Sequence, residues 1–359
     1  MTLKKTVSFK WLVSSAALAV VLTGCGSESS DAPEENDAEN TETTETETAS
    51  EETGAEYPLV IEHAFGESVL EEKPERVATV QWGNQDIALA LDVVPVGFSA
   101  ANFGIMDDRG LLPWTAEKVE ELGESDPNVY QDTDGLDFEA ISDSNPDVIL
   151  AAYSGITQED YDLLSQIAPV VAYPTSPWTT TWREQITMNA AGMGMEEEGE
   201  KLVEETESLI EETAAEHPEI EGKNVLWVNF SANDLSSLHL YTPVDTRVSF
   251  LQELGLVFPE GISEMIENDT DYSLSLSAEN ADALNEADVI VGYGDDDLLE
   301  ALQGDSRLGQ IPAIERGSVV FIDGNSDLAA AGTPNPLSIS YTIDQYVDLI
   351  GEAVDKIEE

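Results

Sequence analysis

The chain has 359 residues, with 74 Asp and Glu against 14 Lys and Arg, for a formal charge of −60 at pH 7. Neutralising phosphates takes clusters of basic residues, so nucleic-acid binding is excluded. An excess of carboxylates this large suits an extracellular protein in a saline habitat, where salt screens the self-repulsion.

The N-terminus carries Lys4, Lys5 and Lys10, then "WLVSSAALAVVLTG". That apolar run is about 14 residues, too short for a bilayer-spanning helix, which needs roughly 20. A basic start, a short apolar stretch and small residues at its end predict a secretory signal peptide over 1–24. The residues "LTGC" resemble the bacterial lipobox, whose cysteine is lipidated and becomes the first residue of the mature chain. Cys25 is the only cysteine in the sequence, so it cannot form an intramolecular disulfide. It is expected to be a diacylated anchor, which supplies the two lipid signals that stable membrane attachment requires. From 25 to 56 the chain is rich in Glu, Thr, Ser and Asp and has no basic residue. Such a segment cannot bury enough apolar surface to fold and reads as a disordered acidic tether.

From Tyr57 on, ~300 residues remain, enough for two lobes. "YPLVIEHAFGESVLEEKPERV" predicts a β-hairpin leading into a strand. "RVATVQ" is a short strand, "WGNQDIALALDV" a helix and "VVPVGF" a second strand. "LDFEAISDSNPDVILAAY" gives a helix and a third strand, and "YDLLSQIAPVVAYP" repeats the pattern. Short strands alternating with helical segments predict βα units and a parallel sheet. A long, mostly solvated helix follows in "MEEEGEKLVEETESLIEETAAEHP", with Leu202, Val203, Leu209 and Ile210 on one side. A second set comprises "NVLWVNF", "RVSFLQELGL", "AENADALNEADVIVGY", "ERGSVVFID" and the final helix "SISYTIDQYVDLIGEAVDKI".

"FEAISDSNPDVIL" and "AENADALNEADVIV" share one plan. Each has a Glu near a helix start, an apolar face, an Asp and a buried strand. The expected fold class is therefore α/β. Two lobes with central, mainly parallel sheets, at 57–191 and 219–359, are joined by one long connecting helix at 192–218.

"KPERVATV", "LPWTAEKVEELG", "FEAISDSNPDVILAAYSGIT", "LSQIAPVVAY", "RVSFLQELGL" and "SAENADALNEADVIVGYG", in this order behind the lipobox, resemble the iron–siderophore substrate-binding lipoproteins of ABC importers. The resemblance covers nearly all of 57–359. It implies a lipid-anchored, extracytoplasmic, monomeric protein that hands a ferric siderophore to the subunits of a membrane permease, without a resident cofactor. Haem and cobalamin binders share the fold. The family places an acidic residue on each lobe's rim to dock onto permease arginines, and Glu139 and Glu279 match those positions. Helix starts favour acids in any case.

In open α/β sheets the binding crevice lies beyond the carboxyl ends of the strands. Those ends offer Trp82, Tyr153, Trp178, Tyr241 and Tyr293 as aromatic walls for a chelate, while Trp114 and Trp227 read as structural. Arginine is rare here and therefore informative. Arg183 and Arg247 fall in the first turns of predicted helices, where a cation opposes the helix dipole, so each calls for a ligand oxygen or a protein carboxylate. Arg109 is a weaker candidate of the same kind, and Arg76, Arg307 and Arg316 read as structural or solvated. The scarcity of cations favours a neutral or cationic hydroxamate over an anionic tris-catecholate. His63, His217 and His239 form no spaced pair for a zinc site. His239 and Tyr241 share a strand face and could in principle hold haem iron from one lobe. No nucleophile elbow, phosphate loop or HExxH motif is present. No enzyme activity is expected, and a surface-anchored metal-dependent hydrolase is the alternative from a different class.

Overall fold

The computed structural model describes residues 56–132, 134–231 and 233–358. The expected signal peptide over 1–24, Cys25 and all of the expected tether but Glu56 lie outside the described residues.

An antiparallel hairpin comes first, β1 (Leu59–His63) with β2 (Gly66–Leu70). The first lobe then alternates β3 (Val77–Thr79), α1 (Asn84–Ala90), β4 (Gly97–Ser99), α2 (Pro113–Glu121), β5 (Val129–Tyr130), α3 (Phe138–Asp143), β6 (Val148–Ala151), α4 (Gln158–Leu164) and β7 (Val170–Ala172). Its strands run parallel in the order β5-β4-β3-β6-β7. β3, β4, β6 and β7 are buried along their whole length. A parallel sheet covered on both faces accounts for apolar runs without alternation.

Two helices leave this lobe, α5 (Trp182–Gly192) and α6 (Glu196–Glu216). The first turn of α6 is Glu196, Glu197 and Glu198, acids where the helix dipole favours them. Gly199 lets the two helices approach closely, since a Cβ there would lie 2.5 Å from that of Ala190. Ile210 is buried, Leu202, Val203 and Leu209 are half-buried, and most of the other side chains face solvent.

The second lobe holds β8 (Val225–Ser231), β9 (Asp234–Tyr241), α7 (Thr246–Glu253), α8 (Glu260–Ser263), β10 (Ser273–Ser277), β11 (Val289–Tyr293), α9 (Asp296–Gly304), α10 (Pro312–Arg316), β12 (Val319–Ile322) and α11 (Leu328–Ala331). The strand order is β10-β9-β8-β11-β12. β8, β11 and β12 are parallel, whereas β9 runs antiparallel to both β8 and β10. The internal repeat corresponds to real equivalence, with β6 between β3 and β7 as β11 lies between β8 and β12. The segment before β11, Ala278–Glu286, is a 3-10 helix kinked at Asn280 rather than an α-helix.

The last helix, α12 (Pro336–Glu358), buries Ile339, Ile343, Tyr346, Val347, Ile350 and Val354. This is the three- and four-residue spacing of one helix face. Assigned from sequence to the second lobe, α12 packs on β11, β12 and α11, and equally on α6, α1 and α2. Two helices rather than one therefore bind the lobes together. Among the described residues, no helix is long and apolar enough to cross a membrane.

Candidate functional site

The carboxyl ends of both sheets open onto one cavity of about 730 Å³, within the size range of small-molecule sites. From the first lobe, Gln81 and Trp82 follow β3, Ser99 ends β4, Asp132 follows β5, Tyr153 follows β6 and Trp178 follows β7. Tyr153 and Trp178 meet edge to face at 5.4 Å.

Two of these residues sit on left-handed backbone, Gln81 at φ 66° and Trp178 at φ 63°. Such conformations cost of order 1–3 kcal/mol for residues other than glycine and persist only where the surroundings enforce them. The Gln81 N–H donates to Ser99 Oγ at 2.8 Å, and the Trp178 N–H to the Ser154 carbonyl at 3.2 Å. Gly155 makes room for the indole, because a Cβ there would lie 2.5 Å from Trp178 Nε1. Local turns thus turn Trp178 over the cavity.

The second lobe answers with Asn229, Tyr241, Asp245, Arg247, Tyr272 and Tyr293. Buried Trp227 backs this wall, 4.8 Å from the Tyr293 ring and 5.9 Å from that of Tyr241. Asp245 caps α7 by accepting the Arg247 N–H at 2.9 Å, and its carboxylate also accepts from the Arg247 guanidinium at 2.7 Å. The guanidinium lies 4.4 Å over the Tyr241 ring, a cation–π arrangement. Burial pushes the Asp245 carboxyl upward while Arg247 opposes it. Burial would discharge Arg247, but Asp245 overcomes this and holds it charged. Burial also pushes the phenols of Tyr153 and Tyr241 up, so both remain neutral donors.

Six of the seven ligand candidates therefore share this cavity: Trp82, Tyr153, Trp178, Tyr241, Arg247 and Tyr293. Arg183 stands apart and needs correction. Its guanidinium bonds Glu207 of α6 and, at 2.8 Å, Glu253 of α7, and it lies over the Trp182 ring. The first turn of α5 faces its neighbouring helices, so protein carboxylates supply the partner. Arg109 pairs with Asp107 outside the cavity. Arg316, read as solvated, is half-buried and donates to the Asp288 carbonyl. His239 is exposed and bonds Ser275, away from the cavity. Glu139 and Glu279 are exposed in the first turns of α3 and the 3-10 helix.

Sequence reading passed over Ser99, Phe103, Asp132, Asp245 and Tyr272, which also line the cavity. Asp132 lies two residues past β5, a strand too short to signal itself. Asp245 was legible as a helix cap two residues ahead of Arg247.

Two like α/β lobes clasping one aromatic cavity define a solute-binding protein of the two-lobed transport class. The chain belongs to the Periplasmic binding protein family, whose pattern it matches over residues 77–325. This is a family of substrate-binding transport proteins acting outside the cytoplasm. Among similar solved structures is PiaA of Streptococcus pneumoniae TIGR4 in complex with ferrichrome. It is 52% identical, spans 83% of this chain and 99% of that one, and superposes with a TM-score of 0.80. The Fe(3+) dicitrate-binding periplasmic protein FecB of Escherichia coli K12 is 24% identical over 283 residues, 75% of this chain and 86% of FecB. SirA of Staphylococcus aureus, solved with staphyloferrin B, shares the fold at 21% identity, 82% and 98% coverage and a TM-score of 0.61.

Proposed function

We propose that this protein captures a ferric siderophore between its lobes and delivers it, chemically unchanged, to the permease of an ABC importer. The observation that carries this reading is the cavity itself. Aromatic walls from both lobes suit the greasy faces of an iron chelate, and one charged arginine is set to donate to its oxygens. The likeness to a PiaA structure holding ferrichrome supports the ligand class. The lipobox supports attachment through a lipid on Cys25, with the acidic tether holding the domain off the membrane. The protein works as a monomer. Glu139 and Glu279, one exposed acid on each lobe, are the contacts for the two permease subunits.

Trp82 and Trp178 line the cavity and provide the readout. Titration with ferric hydroxamate, catecholate and carboxylate chelates should quench tryptophan fluorescence at one chelate per chain, and the chelate should be recovered intact. Quenching by haem or cobalamin while all three ferric chelates fail would overturn the reading, as would turnover of the chelate.

A further inference from the structure

Charge inside the cavity is not balanced. Arg247 is the sole cation among the described residues that line it. Its charge is already matched by Asp245 at 2.7 Å, the two side chains being 17% and 2% exposed. Among the described residues, no cation pairs with Asp132. It is 8% exposed, yet it lines the cavity. One carboxylate oxygen, Oδ2, accepts the Ser99 hydroxyl, and that hydroxyl oxygen in turn accepts the Gln81 N–H. This chain fixes the carboxylate in place without neutralising it. Burial pushes its carboxyl upward, the Ser99 hydroxyl opposes this, and the charge that acts on it, Asp137, is another acid and adds to the push. A buried carboxylate without a cation is costly unless something compensates it, and here the compensating group can come from the ligand side of the cavity.

Building on the siderophore reading above, we propose that Asp132 is a specificity-determining residue. It accepts a hydrogen bond from an ammonium, amide or hydroxyl donor on the periphery of the ferric chelate, and it disfavours chelates with net negative charge. The two lobes then divide the work. Arg247 donates to oxygens around the metal, and Asp132, on the opposite lobe, reads the charge of the chelate's rim.

The test uses the full-length mature protein and three probes: ferrioxamine B, which carries a free ammonium, uncharged ferrichrome, and anionic ferric dicitrate. Wild-type protein should bind ferric dicitrate weakest. Asp132→Asn should weaken ferrioxamine B roughly ten-fold, the scale of one hydrogen bond to a charged group. It should change ferrichrome much less and tighten ferric dicitrate. Ser99→Ala, which keeps the charge but removes its anchor, should preserve the charge order and guards against a misfolded Asp132 variant. An equal loss for all three probes would overturn the proposal and make Asp132 only a support for the Gln81 turn. Ferric dicitrate binding wild type as tightly as ferrichrome would also overturn it while leaving the siderophore reading intact. Failure of every ferric probe on wild type would bring down the siderophore reading itself, and this inference with it.

Discussion

Arg247 carries two burdens that can be separated by mutation. It faces the ligand cavity, and it compensates Asp245, which is 2% exposed. Removing one partner of a buried pair leaves an uncompensated charge and costs about 3–5 kcal/mol. Arg247→Ala should therefore lower stability in chemical denaturation and also weaken siderophore binding by about 1–3 kcal/mol, the range for a charge-assisted hydrogen bond. Adding Asp245→Asn removes the stranded charge while an amide oxygen remains to cap α7. Stability should then recover and affinity should not. Affinity unchanged in the single variant would mean that the guanidinium serves the protein alone. The contrast with Arg183 shows what was legible at this scale. Both arginines are rare cations in the first turn of a helix, and sequence marks both as needing a partner. Which partner depends on the direction a helix faces. For Arg183 the answer lies in Glu207 and Glu253, far away in sequence, and nothing local reveals them.

At the scale of elements, α1, α2 and the start of α12 meet at Asp86. This carboxylate is fully buried and accepts from Trp114 Nε1 at 2.9 Å, Thr115 Oγ1 at 2.6 Å and Asn335 Nδ2 at 2.9 Å. Burial pushes it up to about 6, against the pull of those hydrogen bonds. The folded state then holds this proton more tightly than the unfolded chain does. Its contribution to stability is present below the unfolded value near 3.8 and is lost as pH rises through about 6. Across that window the loss is about 3 kcal/mol. Denaturation of wild type and Asp86→Asn in parallel at pH 4, 5, 6 and 7 isolates it. The stability difference should move against wild type by about this amount with rising pH, and a flat difference would show that Asp86 does not titrate there. Most elements of both lobes were readable because buried parallel strands announce themselves as apolar runs between helical patterns. Two were not. β5 has only two residues and no periodicity to detect. β10, in "SLSLS", alternates serine with leucine on an edge whose pairing with β9 spans more than 30 residues. The double allegiance of α12 was hidden for a further reason: its apolar face is continuous, and sequence does not say which lobe each turn meets.

The whole molecule is two lobes with the same parallel core, bound by α6 and α12, and a two-fold permease would meet such a body at equivalent points on each lobe. Glu139 and Glu279 fit that requirement by position. Each lies in the first turn of the helix preceding the equivalent strand of its lobe, β6 or β11, and each side chain is exposed. Among the described residues Glu279 has one cationic neighbour, Arg307 at 3.9 Å, in a pair so exposed on both sides that it holds little energy and leaves the acid free to exchange partners. Neither residue lines the ligand cavity. Glu139→Arg together with Glu279→Arg should therefore abolish iron uptake by cells that depend on this protein. Quenching titrations on the purified double variant should match wild type, and its thermal midpoint should stay close to wild type, since surface charges contribute little to the fold. Each single reversal should leave intermediate uptake, because one lobe can still engage. Uptake that survives the double reversal would refute the docking role, and a parallel fall in siderophore affinity would show that the substitutions act through the cavity instead.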